Sequence, residues 1–154
     1  MSEELPSLFL SYYSKLIEKE CILLSFERIF GGASRETYKI EVSHDVNKIE
    51  RLILRVTQDS SLIETDQKTE YLAYSAYQNS SVPVPVLLDM SEDSDILGAP
   101  FMLMKELQGA AASPFTPNIY SPHEVELGKQ FWSILGEIAK KEVQEDIFKS
   151  FLRE

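Results

Sequence analysis

Leu52-Ile53-Leu54-Arg55-Val56 decides the reading of this chain. Its aliphatic residues, with β-branched Ile53 and Val56, make it a strand. A run this apolar belongs near the middle of a sheet with both faces covered. Side chains alternate across a strand, so Leu52, Leu54 and Val56 share one face and Ile53 and Arg55 the other. Two readings are open to Arg55. Either the guanidinium is paired, because an unpaired buried charge is costly, or it lies near a strand end and snorkels to water. The segment that follows offers two partners, Glu64 and Glu70.

On the N-terminal side, Tyr38, Ile40 and Val42 alternate with Thr37, Lys39 and Glu41, the period of a half-buried strand. Before them, Ile22, Leu24 and Phe26 alternate with Leu23, Ser25 and Glu27, and the run closes at Ile29 and Phe30. Gly31-Gly32-Ala33-Ser34-Arg35-Glu36 joins these two strands as a hairpin connection, and Ser43-His44-Asp45-Val46-Asn47 reads as a polar turn into the next strand. Glycine lets a backbone approach an anion closely, so Gly31 to Ser34 can lay N–H groups over phosphate oxygens; an ordinary two-glycine hairpin turn is the other reading. Upstream, Leu5, Leu8, Phe9, Tyr12, Leu16 and Ile17 recur at helical spacing and predict an amphipathic helix.

On the C-terminal side, Ser61-Leu62-Ile63-Glu64 has the capping-box pattern and predicts a helix running to about Tyr77. Val82-Pro83-Val84-Pro85 must be extended and feeds a fourth strand around Val86-Leu87-Leu88. The acidic turn Ser91 to Asp95 and the Gly98-Ala99-Pro100 breaker precede a fifth strand, Phe101-Met102-Leu103-Met104. Residues 108–121 are rich in Ala, Ser, Pro and Gly and read as a linker. Ser121-Pro122-His123-Glu124 then predicts a helix start with Ser121 as N-cap, and Leu127, Phe131, Ile134, Leu135 and Ile138 form the apolar face. A last apolar segment lies around Ile147, Phe148, Phe151 and Leu152.

Composition narrows the function classes. A formal charge of −10 over 154 residues, without a Lys/Arg cluster, argues against nucleic acid and against an anionic membrane surface. The single cysteine, Cys21, cannot form an intrachain disulfide and reads as packing. The acidic N-terminus has no basic n-region, and no apolar run approaches the ~20 residues of a membrane span. A cytoplasmic protein is expected.

The segments FGGASRETYKI, LILRV, TEYLAY, VPVPVLL and LGAPFMLMKELQG resemble, in order and spacing, the signature segments of the aminoglycoside/choline-type phosphotransferase family, which includes kinase-like domains fused to some acyl-CoA dehydrogenases. The resemblance runs from about Ile22 to Leu152. It implies an α+β fold, a protein-kinase-like N-lobe with a five-stranded antiparallel sheet, one helix between the third and fourth strands, an N-terminal helix and C-terminal helices after a linker. It divides the chain into an N-lobe at 1–107, a hinge and linker at 108–121, and the first helices of an incomplete C-lobe at 122–154.

By position, the resemblance makes Gly31, Gly32, Ala33 and Ser34 a phosphate-covering loop and puts Arg55 where most kinases keep a phosphate-binding Lys. Glu70 is the better match for the helix carboxylate that holds it, with Glu64 second. Met104 backs an adenine pocket, Ile53 packs on the ring, and the Lys105 carbonyl and Leu107 N–H read the base from the hinge Lys105-Glu106-Leu107. ATP and magnesium are the implied cofactors and a small-molecule alcohol the implied substrate. The family's His-Gly-Asp-x-x-x-x-Asn catalytic loop and its downstream metal-binding Asp have no counterpart, since neither His44 nor His123 is followed by Gly-Asp. A truncated, inactive phosphotransferase part is therefore the leading expectation. A stand-alone binding or interaction module, and an unrelated α+β domain with a structural Arg55, are its rivals.

Overall fold

The computed structural model describes residues 4–29, 35–45, 48–57, 67–109 and 115–140. Its sheet comprises β1 (Ile22–Ile29), β2 (Arg35–Asp45), β3 (Lys48–Thr57), β4 (Leu87–Ser91) and β5 (Phe101–Lys105). All neighbours pair antiparallel in the order β1-β2-β3-β5-β4, so the strand bearing Arg55 is central. The helices are α1 (Leu5–Leu16), α2 (Gln67–Tyr77), α3 (Ser94–Leu97) and α4 (Glu124–Lys140). The fold is thus α+β, with α2 between β3 and β4. No helix among the described residues is long and apolar enough to cross a membrane.

The core forms between α1 and one face of the sheet. Tyr38, Ile40, Val42, Leu52, Leu54, Phe101 and Leu103 are each 0% exposed there, packed against Leu5, Phe9 and Tyr13 of the helix. Phe9 stacks on Tyr13 at 5.7 Å between ring centroids and meets the edge of Phe26 at 5.9 Å. Cys21 packs against this cluster. The inward stripe of α1 is therefore Leu5, Phe9 and Tyr13, while Leu8 and Leu16, expected inside, are exposed. Tyr13 faces in because its hydroxyl donates to Glu50 as its ring fills the core.

Other expectations need correcting. The β1 register shifts between Leu23 and Ser25, so Leu23 and Phe26 pack on the core and Ile22 and Leu24 are exposed. Arg35 and Glu36 belong to β2 rather than to a connection, and His44 and Asp45 extend its other end, with Asp45 opposite Lys48. The acidic turn contains α3, capped by the Asp93 side chain accepting from the Asp95 N–H at 2.9 Å and closed by Gly98 at φ 87°, a backbone state that suits glycine. Residues 117–122 form a turn with a cis Ser121–Pro122 peptide, and α4 starts only at Glu124, so Ser121 is not its N-cap. Ser61 and Glu64, the connecting residues 110–114 and the segment around Phe148 lie outside the described residues.

Candidate functional site

The second face of the sheet carries the chemistry. Antiparallel partners point to the same side, and Arg55 lies opposite Thr37 on β2 and Met102 on β5, while Ile53 lies opposite Lys39 and Met104. Ile53, Arg55, Met102 and Met104 therefore share a surface behind the core. Helix α2 runs along β4 and β5 beside it. Its first described residue, buried Gln67, fixes the helix to the strand: the side-chain amide donates to the Arg55 carbonyl at 2.9 Å and accepts from the Thr57 hydroxyl at 2.7 Å. One turn on, Glu70 points at the sheet.

There Arg55 Nη1 pairs with Glu70 Oε1. Arg35 Nη1 pairs with Glu70 Oε2, and the Tyr74 hydroxyl donates to Oε1 at 3.0 Å. One carboxylate thus receives two guanidiniums and a phenol. Burial pushes the Glu70 carboxyl up, but the Arg55 charge and the Arg35 hydrogen bond outweigh it and hold the group below the usual carboxylate range. Burial and the Glu70 charge push the Tyr74 hydroxyl up, so it stays a donor. The Arg35 side chain is 5% exposed and that of Arg55 27%, so Arg55 is the arginine that meets the solvent side.

At the other end of this face, β5 ends at Lys105, and Lys105 and Glu106 stay tied to the sheet by backbone hydrogen bonds. The Lys105 N–H donates to the Val86 carbonyl at 2.8 Å and the Glu106 N–H to the Arg51 carbonyl at 2.9 Å. The Glu106 carboxylate pairs with Lys39 Nζ at 2.8 Å across β3. Met104 is buried and Leu107 exposed.

Of the residues singled out from sequence, Ile53, Arg55, Glu70 and Met104 are brought to one side of the sheet, with Lys105 and Leu107 at its hinge end. Gly31, Gly32, Ala33 and Ser34 lie outside the described residues. Sequence reasoning missed Arg35, Gln67 and Tyr74. Gln67 and Tyr74 flank Glu70 at three and four residues, the spacing that shares a helix face, and that signal could have found them. His44, read as a turn residue, lies on β2 with its side chain 5% exposed and Nε2 3.4 Å from Glu50. It joins no catalytic cluster. A cavity of about 1160 Å³ opens between the end of α1 and β1–β2 and is lined by Lys15, Cys21 and His44 among others, but by none of the residues around Glu70.

The donor set suits an anion beside an apolar shelf. Two guanidiniums meet one carboxylate beside the apolar side chains of Ile53 and Met104. Among the described residues, no group of three His, Cys, Asp or Glu side chains is arranged to hold a metal ion.

Comparison with known proteins bears on the family and the fold. The model of a family described as phosphotransferase enzymes matches residues 25–153. Mouse acyl-CoA dehydrogenase family member 10 is 35% identical over 89 residues, which cover 56% of this chain and 8% of that protein. The crystal structure of a Ralstonia eutropha protein, described provisionally as an aminoglycoside phosphotransferase, superposes with a TM-score of 0.52 at 20% identity, over 71% of this chain and 31% of that one. At that identity the likeness is one of fold. This chain spans under a third of the solved protein and under a tenth of the mouse relative.

Proposed function

This chain belongs to the phosphotransferase enzyme family, and we propose that it is the nucleotide-binding N-terminal part of an enzyme that moves the ATP γ-phosphate to a small-molecule hydroxyl. The observation that carries this reading is the Arg55–Glu70 pair on the open face of the central strand. A strand cation held by a helix carboxylate and presented to phosphates is how kinases seat the triphosphate. Arg55 would contact phosphate oxygens, Glu70 would aim it, Gly31 to Ser34 would cover the phosphates, and Ile53 and Met104 would enclose the base. The Lys105 carbonyl and the Leu107 N–H would read the base edge. The Glu106 N–H, committed to Arg51, would not.

ATP supplies the phosphoryl group and magnesium offsets its charge when bound; this chain's residues supply positioning. Residues 1–107 would be the N-lobe, 108–121 the hinge and linker, and 122–154 the first C-lobe helices. Without His-Gly-Asp the 154-residue chain would bind nucleotide weakly and transfer nothing by itself. A cytoplasmic location, where ATP is plentiful, fits the lone cysteine.

Amide and methyl chemical shifts recorded during an ATP titration test the site. Perturbations centred on Ile53, Arg55, Met104 and Leu107, and reduced in Arg55→Met, are expected. No shifts at about 10 mM ATP, where a binding free energy of even ~3 kcal/mol registers, would sink the reading.

A second reading rests on α4. Val125, Phe131 and Trp132 are 73%, 62% and 70% exposed, a patch of the kind that marks an interface. A stand-alone module that uses this row to bind a partner would co-purify with it or self-associate. A monomer by light scattering would count against that.

A further inference from the structure

We propose that the cavity between the end of α1 and the β1–β2 pair binds a small neutral alcohol or phenol with an apolar body, whose O–H donates to His44 Nδ1. None of the residues around Glu70 lines this cavity, so the inference does not depend on the nucleotide reading.

His44 carries the argument. Its side chain is 5% exposed, and the residue forms part of the cavity wall. One ring nitrogen is committed: Nε2 lies 3.4 Å from Glu50 Oε1, while the Tyr13 hydroxyl donates to Oε2. Burial raises the Glu50 carboxyl, but these hydrogen bonds and the nearby charges outweigh it, so the group is a carboxylate that only accepts. That contact puts the imidazole proton on Nε2. In the neutral ring Nδ1 is then a lone pair, and the carboxylate at the other nitrogen makes it a better acceptor. Nδ1 is buried and has no hydrogen-bond partner among the described residues. A buried acceptor left unmet is uncommon and costly.

The cavity supplies the rest. At about 1160 Å³ it has room for a two-ring compound, since sites for small organic molecules run from about 300 to 1,000 Å³. Leu10 and Ser14 of α1 line it, as do Cys21 and Ile22 where the chain enters β1. Ile22 pairs with Ser43, so Cys21 and His44 flank the last rung of the β1–β2 ladder. The imidazole therefore sits among apolar neighbours. One unmet acceptor in such a wall selects a ligand with one donor. A hydroxyl brings one, whereas an ammonium brings three and a charge that must shed its water. Because Nδ1 is buried, the O–H reaches it by parting the wall. The bond so formed satisfies an unmet acceptor rather than replacing a hydrated one, which makes the hydroxyl worth more here than on an open surface.

The test is a titration of the full chain with naphthol and with its methyl ether, followed by amide and methyl chemical shifts. The two probes share a body and differ in the donor. Shifts are expected at Leu10, Cys21, Ile22 and His44, with naphthol bound roughly tenfold more tightly, the worth of one hydrogen bond to a buried acceptor. His44→Gln keeps an N–H for Glu50 and removes Nδ1, and should bring the two probes within about twofold of each other. Leu10→Trp, which fills the cavity, should weaken both probes and serves if the glutamine variant does not fold. Naphthylmethylamine, charged at neutral pH, should bind more weakly than naphthol.

Equal affinity of the wild type for naphthol and its ether would mean that Nδ1 takes only water, and overturns the inference. So does a preference for naphthol that survives His44→Gln, or binding that Leu10→Trp leaves unchanged. Shifts centred on Ile53 or Trp132 would put the probes elsewhere and overturn it as well. Tighter binding of the amine would overturn the ligand class. None of these results bears on ATP binding at Arg55.

Discussion

The two faces of the central sheet are built to opposite rules, although β3 contributes to both through alternate residues. Leu52, Leu54 and Val56 are buried against α1, in a layer where Tyr38, Ile40, Phe101 and Leu103 leave no exposed surface. Ile53 and Arg55, between them, face a surface whose contacts are ionic and half-open. Each face also carries one carboxylate held below its ordinary pKa. Burial raises Glu50, yet the hydrogen bonds from Tyr13 and His44 and the nearby charges outweigh it; Glu70 is its counterpart among the arginines. The difference teaches where stability and recognition reside. Dispersion and burial on the first face hold the fold, and the second is free to present charge.

If that division is right, substitutions on the two faces should fail differently. Leu54→Ala, at 0% exposure in the centre of the core, should cost about 2–5 kcal/mol in urea unfolding, with the folded fraction still showing wild-type ATP shifts. A cost below about 1 kcal/mol would mean that the core relaxes around the site and that the faces are not separate.

Glu70→Gln comes next. It leaves Arg35 and Arg55 facing each other without their anion, and breaking a buried pair costs roughly 3–5 kcal/mol, with the lower end apt because Arg55 is partly exposed. Its signature is a pH profile. The folded pKa of Glu70 lies below its unfolded value, so its stabilisation is complete above the ordinary carboxylate range and is lost as pH falls through the folded value. The wild type should therefore lose more stability than Glu70→Gln on acidification from about pH 5, and Glu50 contributes to the slope left in the variant. Parallel profiles would show that Glu70 is not ion-paired in solution.

How legible the molecule was follows the same division. Alternation marked β2, where Tyr38, Ile40 and Val42 point one way, while β3 and β5 were legible as short apolar runs, Leu52–Val56 and Phe101–Met104. β1 defeated that logic: one residue at the Leu23/Ser25 shift reverses the parity of everything before it, and alternation carries no mark of where a bulge falls. α3 is four residues long, too short for any helical period to register. The residues alone left Arg55 open between pairing and snorkelling, with Glu64 and Glu70 as possible partners, and the family resemblance favoured Glu70. Arg35 was not legible. Beside Gly31-Gly32 it looks like a loop residue, and its burial depends on how α2 crosses the sheet, 35 residues away.

The smallest effect is expected from Lys39→Met, and it sharpens the comparison within the second face. The Lys39–Glu106 pair is as well formed as any at 2.8 Å, and it crosses β3 beside Ile53. Yet Lys39 is 40% exposed, and water competes for both groups before and after folding. Such a pair gains little Coulomb energy, gives up side-chain entropy to form, and is screened by salt. The urea midpoint of Lys39→Met should match the wild type, and raising the salt should not separate the two. What distinguishes this pair from Arg35–Glu70–Arg55 is then not distance but the solvent around the cation: Lys39 is 40% exposed and Arg35 5%, while the two carboxylates, at 19% and 23%, are alike. A drop in midpoint as large as that of Glu70→Gln would contradict this, and would make the hinge end of the face, like the core, part of what keeps the sheet folded.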